Sequence, residues 1–214
     1  MQHGTSHSPS RREARRESRR DAILDFARQT FLENGYAATT MSGIAAGLGG
    51  SKGTLWSYFS SKQLLFEAVL DRATEDLRNE LSLILQRTDD VRSALHRFCR
   101  QFLGKLVQPD AVALFRLVVA ESGRFPELGE SFFERGPGRT RLLVAQYLAD
   151  AMARGLMRKG DAHAAALDLT GLCMSGCHFK MLVSSTTSPV RNDLDADAER
   201  AIACFWRAWG PVTA

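Results

Sequence analysis

The sequence predicts an all-α protein: a small N-terminal unit of three short helices, then a larger helical body. Three observations carry this. Apolar residues recur with a period near 3.6 along almost the whole chain. No segment shows sustained period-two alternation rich in Val, Ile and Thr. Capping and breaking residues punctuate the pattern at helix-sized intervals. With 214 residues, 44% of them hydrophobic, the chain has ample material for a packed core, and wholesale disorder is excluded.

The elements follow in order. Residues 1–9 read as a disordered tail. Ser10-x-x-Glu13 has the spacing of a capping box, so the first helix starts there or nearer Ser18. Ile23, Leu24, Ala27 and Phe31 mark its buried face, and Asn34-Gly35 ends it, with Gly35 suited to a left-handed cap. Thr40 caps a short second helix with Met41, Ile44, Ala45 and Leu48 on its apolar side. Gly49-Gly50 breaks it, and Ser51 caps a third helix, residues 52–59, with Leu55 and Phe59 inward. Ser60 or Ser61 starts a fourth, running through Leu64, Leu65, Val69, Leu77, Leu81 and Leu85.

Beyond these, residues 90–107 carry Leu95, Phe98, Phe102 and Leu106 on one helix. Pro109 opens the next, which stops before Pro126; residues 127–134 form a short piece, and Pro137 opens a long helix ending at Gly155. Residues 162–183 read as one helix, 184–195 as a loop and 195–209 as the last helix. Helices 139–157 and 162–183 are apolar on almost every face, so each is buried on more than one side. Ala164, Ala165, Ala166, Gly171, Ser175 and Gly176 allow close helix approach. These two helices are expected to form an isologous homodimer interface; the other reading makes them ordinary central core. The expected division is a basic, partly disordered arm at 1–19, a DNA-binding unit at 20–66 and a ligand-binding and dimerisation body at 67–214.

Charge is polarised. The formal excess of +4 sits wholly in residues 1–20, where six arginines (11, 12, 15, 16, 19 and 20) face two glutamates. The rest of the chain is balanced. The arginine run is either a solvated, partly helical arm or an extension reaching phosphates or the minor groove, and the zero net charge of residues 21–62 favours the second. The opening residues are polar and lack the apolar core of a secretory signal. The most apolar stretch, 164–183, holds Asp168 and Lys180, each costing roughly 2.5–3.5 kcal/mol at a membrane centre. A cytoplasmic, membrane-free protein with reduced thiols is expected.

The informative segment is TTMSGIAAGLGGSKGTLWSYFSSK, residues 39–62: short helix, glycine turn, short helix, then a lysine opening another. With Leu55 and Phe59 inward, Lys52, Gly53, Thr54, Trp56, Ser57 and Tyr58 lie outside or at the margin. Exposed aromatics beside a lysine and small hydroxyl residues suit a DNA groove better than bulk water. Gly53 lets a phosphate approach the backbone, and Ser51 and Thr54 can donate to phosphates beside free helix N–H groups. Trp56 and Tyr58 can meet sugar, backbone or thymine methyl groups. The competing reading makes Trp56 and Tyr58 core aromatics of a small bundle.

Residues from about Arg20 to Val69 resemble TetR-type transcriptional regulators. The likeness lies in Ile23-Leu24-x-x-Ala27, Phe31-x-x-x-Gly35-Tyr36, Thr39-Thr40-Met41, Ile44-Ala45 and, above all, the run from Ser51 through Phe59 to Ser61-Lys62. It implies that residues 52–59 are a recognition helix. It also implies that Thr40, Ser51, Lys52, Gly53, Thr54, Trp56, Tyr58 and Lys62 contact double-stranded operator DNA; Ser42 is taken with them. Trp56 stands where the family usually has Tyr, and Gly50 where it usually has an apolar residue. Phe115-Arg116-Leu117-Val118-Val119-x-Glu121, Arg124-Phe125-Pro126-Glu127-Leu128 and Gly136-Pro137 resemble regulators of efflux genes. That likeness implies a sensor body, a dimer through the last two long helices and repression relieved by a small molecule.

Phe98, Phe102 and Phe115 are candidate pocket residues for an apolar or aromatic effector, though each reads first as ordinary core, and at most a few would touch a ligand. Cys173, Cys177 and His178 form the one constellation suggesting a metal- or redox-sensing protein or enzyme. Four zinc ligands are not in view, no histidine has a partner at catalytic spacing, and buried small cysteines explain the pattern. No enzyme activity, cofactor or metal is expected.

Overall fold

The computed structural model describes residues 10–49, 51–86, 90–184 and 191–211, with only the backbone of 191 and 192. The expected tail at 1–9 lies outside the described residues. Among those described, every regular element is helical: α1 Arg11–Ala38, α2 Met41–Gly47, α3 Lys52–Tyr58, α4 Lys62–Ile84, α5 Val91–Leu106, α6 Pro109–Glu121, α7 Pro126–Phe133, α8 Arg139–Ala153, α9 Ala162–Met174, α10 Cys177–Val183 and α11 Arg191–Trp209. Two compact units meet in the chain between Val69 and Leu70, within α4.

In the first unit α1 starts at the earlier of its two signals. Ser10 Oγ accepts from the Glu13 N–H, and Glu13 returns the bond to the Ser10 N–H at 2.7 Å, completing the capping box. The arginine segment is therefore helical and continuous with the rest of α1. Gly35 breaks the helix as expected, with the positive φ of 80° that favours glycine, but its ψ of 166° is not that of a left-handed cap, and a further helical turn follows to Ala38. Thr39, buried, donates from Oγ1 to the Gly35 carbonyl at 2.7 Å and fixes that bend. Ile23, Leu24, Ala27, Phe31, Ile44, Ala45, Leu55 and Phe59 are all buried. Phe31, Tyr36 and Phe66 pack as an aromatic trio with centroids 5.1–5.7 Å apart.

The second unit has one core. Leu77 and Leu81 of α4, Leu85 just beyond it, Leu95, Phe98 and Phe102 of α5, Val144 and Leu148 of α8, Leu169 of α9, and Ile202 and Phe205 of α11 belong to it. Asp90 caps α5, its carboxylate accepting from the Ser93 N–H at 3.1 Å.

Three boundaries differ from expectation. Pro137 does not open α8; it lies in a π-helical turn, Glu134–Gly138, joining α7 to α8. Proline supplies no N–H, and a widened turn absorbs the missing bond without ending the helix. Asp71 of α4 pairs there with Arg135 and, at 3.1 Å, with Arg139, while Arg78 donates to the Arg135 carbonyl at 3.3 Å. The expected single helix 162–183 is two, α9 and α10, broken at Ser175-Gly176. The cause lies in α11: the Asp197 carboxylate accepts from the Cys177 N–H at 2.6 Å, and a Cβ on Gly176 would fall 2.0 Å from Asp197 Oδ2. Only glycine leaves room for that carboxylate. Finally, α11 begins at Arg191, inside the expected loop, whose residues 185–190 lie outside the described set.

Candidate nucleic-acid interface

The site is built by two short helices whose ends are fixed by side chains. Thr40 Oγ1 accepts from the Gly43 N–H at 3.0 Å and starts α2. Ile44 and Ala45 bury its inner side, leaving Ser42 exposed. Gly47 ends the helix against α1: a Cβ there would lie 2.2 Å from the Phe26 ring. Gly49 then turns the chain at φ +64°, a left-handed conformation natural to glycine.

Ser51 starts α3. Its Oγ accepts from the Thr54 N–H at 3.2 Å and shares a 3.0 Å hydrogen bond with the Thr54 hydroxyl. Leu55 and Phe59 are buried. That pins the rotation of α3 and turns Lys52, Gly53, Trp56 and Ser57 outward, with Thr54 and Tyr58 half-buried. Trp56 is 40% exposed, which excludes the reading of it as a core aromatic. Gly53 is not required by internal packing, since a Cβ would meet only Ser51 Oγ at 3.8 Å.

Two members of the predicted set carry internal contacts as well. Lys62 Nζ donates to the Tyr36 carbonyl at 2.7 Å and lies 4.2 Å from the Tyr36 ring centroid, tying the start of α4 to the end of α1. Tyr58 receives the Arg16 guanidinium at 5.9 Å, and Arg20 sits 5.5 Å from the Phe59 centroid. Such contacts are worth about 0.5–1 kcal/mol each at exposed sites. They lash the arginine segment of α1 to the C-terminal end of α3. Sequence reasoning missed this bracing and the Gly47–Phe26 contact. The i, i+4 spacing of Arg16 and Arg20 was the available signal for the first.

The thiol constellation comes apart. Cys173 hydrogen-bonds with Cys99, whose thiol that bond and burial push up. Cys177 stands across the helix break beside Asp197; burial and that carboxylate push its thiol up to about 12. Cys99 and Cys177 are therefore protonated at neutral pH and poor metal or redox groups. Burial holds His178 below the usual histidine range, and its ring meets Phe115 edge-on at 5.8 Å. No cluster of three or more metal-ligating side chains occurs among the described residues.

A three-helix head that turns an aromatic, basic and hydroxyl face outward from its second short helix, followed by an all-helical body, defines a helix-turn-helix DNA-binding regulator. Residues 23–69 match the bacterial regulatory proteins of the tetR family, and residues 93–211, more than half the chain, match the C-terminal domain of AefR-like transcriptional repressors. The chain belongs to the TetR family of transcriptional regulators.

Among solved structures it is similar to the flavonoid-responsive regulator FrrA, with 30% identity and TM-score 0.77 over 92% of this chain and 100% of that one. It is also similar to a TetR-family regulator from Mesorhizobium loti MAFF303099, with 26% identity and TM-score 0.77 over 91% and 98%. The HTH-type transcriptional repressor ComR of Escherichia coli (strain K12) is 43% identical over 52 residues, 24% of this chain and 25% of that protein. The HTH-type transcriptional activator FasR of Mycolicibacterium smegmatis is 37% identical over 80 residues, 37% and 36% respectively. The chain thus matches about a quarter of the first and about a third of the second. Its relatives are transcription factors, and no helix among the described residues is long and apolar enough to cross a membrane.

Proposed function

We propose that this chain is a cytoplasmic, ligand-responsive repressor that binds a palindromic operator as a homodimer and is released by a small apolar or aromatic molecule. The outward face of α3 carries the reading. Lys52, Gly53, Thr54, Trp56 and Tyr58 supply charge, close backbone approach, hydroxyl donors and aromatic contact area for a major groove, with Thr40, Ser42, Ser51 and Lys62 toward the flanking phosphates. The two half-sites lie one helical turn, about 34–36 Å, or a small multiple of it apart.

Repression is supported by the AefR-like repressor match over the sensor body; of the curated relatives one is a repressor and one an activator. An aromatic effector is supported by the likeness to FrrA, described as flavonoid-responsive. Phe115, half-buried and edge-on to both Phe132 and His178, offers aromatic surface for it. Phe98 and Phe102 stack on each other in the core at 5.4 Å and reach an effector only if the core opens. The effector acts by binding one dimer conformation better than another.

The dimer reading keeps the expected helices 139–157 and 162–183, where Leu142 of α8 and Leu167 of α9 stay exposed, and extends to α11 beside α9. Most apolar side chains of α8, from Val144 to Met152, are buried within the chain itself. Leu167 and Gly171 of α9 and Cys204 and Ala208 of α11 instead line one exposed groove. The test is a gel shift with duplex DNA from upstream of the chain's own gene. Binding that weakens with salt, falls at least about tenfold in Trp56→Ala or Lys52→Ala, and is relieved by a flavonoid supports the reading. No salt-sensitive binding overturns it; binding indifferent to aromatic compounds removes the effector class alone.

A further inference from the structure

We infer that the arginine segment of α1 is a second DNA-contacting element, a helical rail laid along the phosphate backbone beside the major groove that α3 enters. The inference rests on the operator-binding reading above and adds to it a surface outside the helix-turn-helix.

At about 100° per residue, Arg11, Arg12, Arg15, Arg16, Arg19 and Arg20 all fall on one half of the α1 circumference, and Glu13 and Glu17 on the other. Glu13 is moreover engaged in the capping box with Ser10. One edge of the basic arc is Arg16 and Arg20, which lie over Tyr58 and Phe59 at the C-terminal end of α3. The arc therefore begins at the reading helix and continues outward through Arg12, Arg19, Arg15 and Arg11. Arg11, Arg12 and Arg15 are exposed and Arg19 half-buried. The face they border carries the small side chains of Ala14, Ser18 and Ala22 alongside the arginines, with Asp25 further along the helix.

Helicity decides what these arginines read. An α-helix with side chains is about 10–12 Å across, whereas the minor groove is about 6 Å wide. An extended arm could enter that groove; this capped helix cannot, and so it meets phosphates. Ten helical residues span about 15 Å, against one duplex charge per about 1.7 Å of axis. The nearly neutral helix-turn-helix thus gains most of its electrostatic attraction from this rail, which carries no sequence information.

The test compares the full-length chain with the full-length variant R11Q/R12Q/R15Q/R19Q. Glutamine preserves helix propensity, and circular dichroism checks that helix content is kept. Two duplexes of equal length serve as probes: one selected from a random pool by the unaltered chain, and one of scrambled sequence. The variant is expected to bind both more weakly by a similar factor, with the slope of log K against log salt shallower by about 0.9 for each phosphate no longer neutralised. An unchanged slope with intact binding to the selected duplex overturns the rail and leaves the operator-binding reading standing. A loss confined to duplexes with A·T-rich flanks overturns it in favour of base reading. Failure of the unaltered chain to select or bind any duplex overturns the operator reading and the rail together.

Discussion

Gly47 and Gly53 both stand in seven-residue helices of the DNA-binding unit, and they are glycine for opposite reasons. At Gly47 a Cβ would drive into the Phe26 ring at 2.2 Å; at Gly53 it would meet only a hydroxyl at 3.8 Å. The first is required by the fold; no packing within the fold requires the second. Gly53→Ala is accordingly expected to keep or gain stability, by up to about 1 kcal/mol of helix propensity, while operator affinity falls about tenfold or more. Gly47→Ala should overpack α1 against α2 and cost about 1–3 kcal/mol. Thermal unfolding beside gel-shift titration separates the two, and a Gly53→Ala chain that binds operator like the unaltered one removes the functional reading of that glycine. Gly53 stands out in the sequence as a candidate because its neighbours are polar and aromatic in an ordered run. It could not show Gly47, because the ring that excludes a side chain there belongs to Phe26, on another helix.

At the scale of elements the same distinction between near and distant causes holds. The starts of α1, α2 and α3 were legible because a capping side chain lies within three residues of the N–H it satisfies. The break between α9 and α10 was not, since its cause is Asp197, twenty residues on from Cys177. Burial by itself would raise the Asp197 carboxyl. The Cys177 N–H, Arg200 and the Cys177 thiol together outweigh burial and hold it below the usual carboxylate range. A carboxyl with a depressed folded pKa stabilises the fold above the ordinary value near 3.9, and that contribution is lost as pH falls through the lower folded value. Asp197→Asn should therefore unfold at lower urea than the unaltered chain at pH 7, and the gap should narrow below about pH 4. Urea midpoints at about pH 7, 5, 4 and 3 decide this; a gap constant across that range would mean the Asp197 charge does not hold the break. The π turn at Pro137 was illegible for a related reason. Proline marks a missing donor, but whether the chain stops or widens there depends on Asp71 and Arg78 of α4 holding the turn.

For the whole molecule, apolar surface left after folding indicates what a second copy would cover. Helices 139–157 and 162–183 looked equally rich in surplus apolar residues, because composition alone cannot say which faces the chain itself covers. Once folded, α8 directs Val144, Ala145, Leu148 and Ala151 inward and leaves Leu142 exposed, while Leu167 of α9 stays 51% exposed beside Gly171, with Cys204 and Ala208 of α11 in the same groove. Small residues along a groove allow two helix pairs to approach closely, and a two-fold axis would set each Leu167 against the partner copy. A stable dimer needs about 1,200–2,000 Å² of buried surface. Leu167→Glu places two like charges at such an interface while leaving the chain's own core untouched. Sedimentation should then give the 23.7 kDa of one chain for the variant and twice that for the unaltered protein. Affinity for a two-half-site duplex should fall toward that for a single half-site, because the second reading head is no longer tethered. A Leu167→Glu chain that still sediments as a dimer and binds both half-sites would move the interface away from α9 and α11.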